Sequence, residues 1–198
     1  MPSPAERAEI AQQLREEAHE LLTSSGLFEL LGKEFAAPIV TGSAAYDLMV
    51  WRDIDIHLAV EAERWADWMA FGSPLAKLMD DAGMPLHKAS FINDWVDPHP
   101  LGPGLFWGLQ FKDQAGNAWN VDIWGWEPFD YAVRQAREFS LRTDLNACDR
   151  DLILRLKTEA RARENYHGVR VSSFDIYQFC IAKGGDSLSA LELWKKRQ

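Results

Sequence analysis

Near the start of the chain, Ile10, Leu14, Ala18, Leu21 and Leu22 recur at three- to four-residue spacing among charged neighbours. That period predicts an amphipathic helix over residues 4–22, and Gly26 marks its end or the turn after it. The pattern then shortens. An apolar run over 37–41 predicts a strand, Gly42-Ser43 a turn, and residues 44–49 a short helix. From Asp53 to Val60 the alternation is strict: Ile54, Ile56, Leu58 and Val60 point one way, and Asp53, Asp55, His57 and Ala59 the other. A helix over 63–82 closed by Gly83, a strand over 86–92 and a Pro- and Gly-rich loop over 93–104 follow. Two further strands, 105–112 and 118–124, flank the turn "DQAGN" and predict an antiparallel hairpin. From Pro128 onward the period is helical: 129–141, 150–164, 173–183 and 187–195, with Gly184-Gly185 before the last. The pattern divides the chain into an α+β portion, 1–127, which includes the N-terminal helix, and a helical portion, 128–198.

Composition narrows the class. With 198 residues, 47% apolar content and nine Trp, the chain can bury a substantial core. Its 21 basic and 30 acidic residues leave a net charge of −9, which opposes a phosphate backbone unless the cations cluster. The one basic cluster is Lys195, Lys196 and Arg197. The chain shows neither a signal-like start nor an apolar run near 18 residues, and it has two cysteines, Cys148 and Cys180. The expectation is a soluble cytoplasmic protein with reduced thiols, no membrane association and no nucleic-acid partner.

The chemistry sits where the alternation is strictest. Asp53 and Asp55 share a strand face with Cα atoms about 6.6 Å apart, close enough for both carboxylates to converge on metal ions. Magnesium suits such oxygen donors. Read alone, the pair equally fits a solvated face or an ion pair with a basic residue such as Arg52. Gly42-Ser43, between a strand and a helix, fits an anion cradle in which Gly lets a phosphate approach the backbone. It also fits an ordinary helix cap made by Ser43. In "NAWNVDIWGW", Asn120, Asp122 and Trp124 share a face, so Asp122 is a further acid embedded in a strand.

"VTGS", nine intervening residues and "DIDI" together resemble the signature of the nucleotidyltransferase superfamily, which includes DNA polymerase beta and the adenylyltransferases of aminoglycosides and lincosamides. The resemblance implies an α+β fold, a mixed sheet flanked by helices, followed by the helical half. It implies that Gly42 and Ser43 grip nucleotide phosphates, that Asp53 and Asp55 bind metal, and that Asp122 supplies the third acid. Lysines of the helical half, Lys157 and Lys183, are then candidates to reach the triphosphate. The implied enzyme uses Mg2+ or Mn2+ and a nucleoside triphosphate, ATP being the expected one. It transfers the nucleoside monophosphate to a hydroxyl of a small-molecule acceptor, since the acidic chain disfavours nucleic acid. Similar proteins often carry an Arg-Gly pair soon after the Gly-Ser, where this chain has Tyr46-Asp47. That departure motivates an alternative, a binding module of the same fold that holds a nucleotide or partner protein without turnover. The oligomeric state stays open.

Other residues carry weaker signals. His57 shares the acid face and either touches substrate or sits as a satisfied group near the core. Of the tryptophans in the second half of the α+β portion, Trp107 and Trp119 are expected in the core or hairpin, and Trp124 and Trp126 beside the site. The stretch 171–194 has the outline of a DNA-reading helix pair, but its second helix is poor in basic residues and reads as a packing hairpin.

Overall fold

The strict alternation at 53–60 becomes strand β2 (Asp53–Ala59), with Ile54, Ile56 and Leu58 fully buried and Asp53, Asp55 and His57 on the other, partly open face. The computed structural model describes residues 1–97 and 102–197. Residues 98–101 of the expected loop over 93–104 lie outside the described residues.

Ahead of β2 come helices α1 (Pro4–Ser24) and α2 (Leu27–Glu34), strand β1 (Ile39–Thr41) and a single helical turn, α3 (Gly42–Ala45). After β2, a 3-10 turn (Ala62–Arg64) leads into α4 (Trp65–Ala70) and α5 (Gly72–Asp81). Strands β3 (Leu86–Asn93), β4 (Leu105–Lys112) and β5 (Ala118–Trp126) complete the sheet. The helical half consists of α6 (Pro128–Asn146), α7 (Arg150–Ala162), α8 (Ser173–Ile181) and α9 (Leu188–Lys195).

The described strands form one mixed sheet in the order β1-β2-β5-β4-β3. Only β2 and β5 run parallel, and the expected β4–β5 hairpin pairs antiparallel over its full length. The chain between β2 and β5 makes the crossover that a parallel pair requires. An apolar cluster lies on one side of the sheet, where Ile54, Ile56, Leu58, Val121 and Ile123 pack against α1, α2, α4 and α5. A second cluster, built mainly from α7, α8 and α9, also takes in Ala11 of α1 and Tyr46 and Leu48 from the segment before β2. Among the described residues no helix is long and apolar enough to cross a membrane.

Three local departures from the sequence pattern have physical causes. The single helix expected over 63–82 is broken at Phe71, because the indole N–H of Trp107 donates to the Trp68 carbonyl at 2.9 Å and so engages a helical acceptor from outside. The Trp107 ring also lies so close to Gly72 that a Cβ there would come within 2.6 Å of it. The helix expected over 44–49 stops after one turn, since Asp47 takes a left-handed backbone (φ 59°). Helix α2 was not evident in the apolar period, because it is only eight residues long.

Ile56 lies beneath the acid face, so Ile56→Ala should lower stability by about 2–5 kcal/mol through lost burial and a residual cavity. Urea denaturation checks this. Asp55→Asn, one residue away on the opposite face, should not destabilise in the same assay.

Candidate active site

The register of the parallel pair builds the site. Asp55 stands opposite Asp122, Asp53 opposite Asn120 and His57 opposite Trp124, so both strands present their polar residues on one face. From the other side, β1 sets Thr41 opposite Asp55. Helices α6 and α8 roof this face over a cleft of about 710 Å3, into which Gly42, Ser43, Asp53, Asp55 and His57 open. Trp124 and Trp126 line it too, stacked with centroids 4.8 Å apart. Trp107 and Trp119 are buried on the opposite side of the sheet, as expected for core residues.

Electrostatics follow from packing like charges in a poorly hydrated place. Burial, then the neighbouring Asp53 and Asp122, push the Asp55 carboxyl up to about 8. Burial and Asp53 push Asp122 up to about 6. Asp53 is also raised by burial, though a hydrogen bond from Trp51 and the charges of Lys157 and Arg161 oppose the rise. Burial and the nearby Arg134 lower His57 to about 4, so it is neutral at physiological pH.

Arg52 does not pair with these acids. Its guanidinium binds Glu17 of α1 at 2.8 and 3.2 Å, which removes the simplest structural explanation of Asp53 and Asp55. The compensating charge comes from α7. Lys157 is fully buried behind the acids, and its ammonium donates to the Leu48 carbonyl at 2.6 Å and to the Tyr177 hydroxyl at 3.0 Å. Lys157 and Arg161 both stack on the Trp51 ring, at 5.0 and 5.4 Å. Burial lowers the Lys157 ammonium to about 7 against the pull of Asp55 and Asp53.

These placements revise several sequence expectations. Lys157 stands behind the acids and not in the cleft, because a buried ammonium must find acceptors and the Leu48 carbonyl and Tyr177 provide them. Its position on the buried stripe of α7, with Ile153, Leu156 and Ala160, was the available signal. Lys183 is exposed beyond the far end of α8, a helix length from Ser173, and does not line the cleft. The cations that do line it are Arg134 and Arg137 of α6, with Arg134 3.5 Å over the Trp126 ring. Helix α6 buries only Leu145, so the pattern gave no apolar stripe from which to tell its inward face.

Gly42 is needed for a reason closer than phosphate. Its backbone is left-handed (φ 62°), and a Cβ there would collide with the Asp55 carboxylate. Ser43 is buried within α3 and caps nothing; the cap position is Thr41, which makes no side-chain cap bond. With only one turn of helix, what faces the cleft is a turn with free N–H groups and no extended helix dipole.

The Tyr46-Asp47 departure is also explained. Asp47 is paired with Arg150 at 3.0 Å and lies 3.7 Å from Arg15, and its carbonyl accepts twice more from Arg150. Its charge therefore ties the segment before β2 to α7 and α1. Tyr46 lines the cleft and donates to Glu138 of α6.

Asp53, Asp55 and Asp122 offer the hard oxygen donors that magnesium takes, and their raised carboxyl values mark a surplus of negative charge that a divalent cation would balance. Among the described residues no three His, Cys, Asp or Glu side chains stand grouped as a formed metal site.

No family model and no curated protein matches the chain. Solved structures match it in fold. A mutant of the Cid1 poly(U) polymerase bound to MgATP superposes with a TM-score of 0.51 at 14% identity, covering 80% of this chain and 47% of that one. The same polymerase bound to MgGTP gives 0.50 at 14% identity, over 81% and 48%. The chain thus spans about half the length of the structures it matches. The likeness shows a fold of the nucleotidyltransferase type, an α+β mixed sheet with flanking helices.

The Asp55 shift sets a pH signature. Between 3.8 and about 8 the folded chain keeps a proton on Asp55 that the unfolded chain has released, so this group lowers stability as pH rises through that window. Asp55→Asn removes the effect. In EDTA, the melting temperature of the variant should match wild type at the acid end and exceed it increasingly up to the alkaline end. Thermal denaturation across the window checks this, and a gain that shrinks with pH would contradict it.

Proposed function

We propose that this protein is a nucleotidyltransferase that moves a nucleoside monophosphate from a nucleoside triphosphate to a hydroxyl of a small-molecule acceptor. One observation carries the reading. Two acids of one strand face a cleft that also receives the Gly42-Ser43 turn, and a third, in register across a parallel ladder, stands beside them on the same sheet face, in a fold of the nucleotidyltransferase type.

In this reading residues 1–127 hold the reacting groups and residues 128–198 close the cleft over them. The triphosphate lies along the Gly42-Ser43 turn, where backbone N–H groups meet its oxygens. Arg137, exposed on α6 and facing the cleft, adds positive charge on the opposite wall. The acceptor oxygen attacks the α-phosphorus, the bond from that phosphorus to the bridging oxygen breaks, and pyrophosphate leaves. The acceptor's proton passes to the Asp122 carboxylate, which stands in register with Asp55 on the same sheet face. Asp53, Asp55 and Asp122 would hold Mg2+ or Mn2+. When bound, such an ion neutralises phosphate charge and polarises the reacting phosphoryl group. ATP is the co-substrate to test first.

A small acceptor is supported by the net charge of −9 and by the modest size of the space beside the acids. The matched structures are of a poly(U) polymerase, which makes a polynucleotide the competing acceptor class.

The test is pyrophosphate release with each nucleoside triphosphate, magnesium or manganese, and a library of small hydroxylated acceptors. Asp122→Asn should lower kcat about 10²–10⁴-fold by removing the base. Asp53→Asn and Asp55→Asn should abolish metal-dependent transfer while leaving the far-ultraviolet circular dichroism unchanged. Turnover that persists in either variant at saturating magnesium overturns the reading. Because metal competes with protons for these carboxylates, the thermal shift produced by magnesium should be larger at alkaline than at acid pH.

A further inference from the structure

The acid face continues past β5 onto β4 and β3, and the register orders it as a grid. Asp53, Asn120, Gln110 and Lys88 form one row across the strands, and Asp55, Asp122, Gly108 and Ser90 the next. In a third row His57 is followed by Trp124, Phe106 and Ile92. The middle row has a gap at Gly108, which carries no side chain. The Phe106 ring folds toward that gap: a Cβ at 108 would lie 2.8 Å from its Cζ, and only 3.6 Å from Asp122 Oδ1. The result is a second recess of about 280 Å3, separate from the cleft under α6 and α8. Asp53 borders both spaces, Asp55 only the first and Asp122 only the second.

We propose that this recess seats the acceptor, and that the acceptor is a single hydroxylated ring of sugar size. The inference rests on the nucleotidyltransferase reading and adds to it a place and a chemical class. Size comes first, because the recess is just below the range of about 300–1,000 Å3 typical of drug-sized ligands. Its lining then decides the chemistry. Asn120 and Gln110 each offer an amide that both donates and accepts, and Ser90 adds a hydroxyl. Phe106 supplies an aromatic face for the C–H side of the ring. A molecule that alternates hydroxyls with C–H faces satisfies this set, whereas an apolar ring would leave the amides unpartnered. Among the described residues Lys88 is the one cation in the lining, beside Asp53 and Asp122, enough for a single anionic substituent and too little for a polynucleotide backbone. A ring lying on Phe106 brings its edge to Asp122, where its hydroxyl attacks the α-phosphorus of the triphosphate, loses its proton to Asp122 and releases pyrophosphate.

The experiment uses the full chain and three ring probes: methyl glucoside, a hexose phosphate and methyl riboside. Saturation-transfer NMR without nucleotide reads binding, and transfer of labelled nucleotide with magnesium reads chemistry. Gln110→Trp fills the recess from an exposed strand position, and Phe106→Ala removes the platform. At least one ring should bind wild type, and each variant should weaken that binding about tenfold or more. The thermal shift given by nucleotide and magnesium should be unchanged in both variants. Failure of all three rings to bind at millimolar concentration overturns the proposal, as does binding that survives both variants or transfer to a short oligoadenylate in preference to any ring. Absence of the nucleotide shift with ring binding intact overturns the nucleotidyl-transfer reading and upholds the recess as a ring site.

Discussion

The parallel pairing of β2 with β5 sets three carboxylates on one sheet face, and much of the molecule can be read as a response to that arrangement. Asp55 lies directly across the ladder from Asp122, so neither can move away from the other without breaking backbone hydrogen bonds. Burial first, and then the like charges held beside them, make these groups resist ionisation, which is why the carboxyls are raised. Gly42 is side-chain-free because the Asp55 carboxylate takes the space of its Cβ. The apolar residues interleaved with the acids, Ile54, Ile56, Val121 and Ile123, anchor the same two strands to the core below. One alternation thus sets both stability and charge.

The helical half answers the charge. Lys157 gives up hydration to stand behind Asp53 and Asp55, and its bonds to the Leu48 carbonyl and the Tyr177 hydroxyl join α7, α8 and the approach to β2 in one buried cluster. Removing such a group would leave two acceptors unsatisfied as well as two acids less compensated. Asp47 and Arg150 add a second tie between the same regions, and Tyr46 with Glu138 a third, to α6. Tyr46 and Asp47 therefore hold the roof of the cleft to its floor. A change there would alter the cleft's shape as much as its charge.

The two recesses on either side of Asp53 give the site a direction. The larger is walled by helices and contains Arg134 and Arg137 together with Asp53, Asp55, Glu138 and Asp144, while the smaller lies on the sheet and sets Ser90, Gln110, Asn120 and Phe106 beside Asp53, Asp122 and Lys88. The Gly42-Ser43 turn opens into the larger, so the two spaces offer a ligand different groups on either side of Asp53.

Strict alternation over residues 53–60 determined by itself that Ile54, Ile56 and Leu58 go inward and that Asp53 and Asp55 share a face, because the strand period is two and only one face can be buried. The spacing of the Gly-Ser step from the acid pair, and the acid embedded in the last strand, were likewise legible in the sequence. What the sequence could not determine was anything that depends on which strand lies beside which. That Asp122 faces Asp55, that Gly108 leaves a gap next to it and that Arg52 turns to Glu17 all follow from pairings between residues distant in the chain. The role of Lys157 shows the same divide. The sequence offered it as a lysine reaching the triphosphate, whereas the packing of α7 against α8 and the segment before β2 made it a buried counter-charge of the acids, because electrostatic effects act through space and local sequence patterns record only neighbours along the chain.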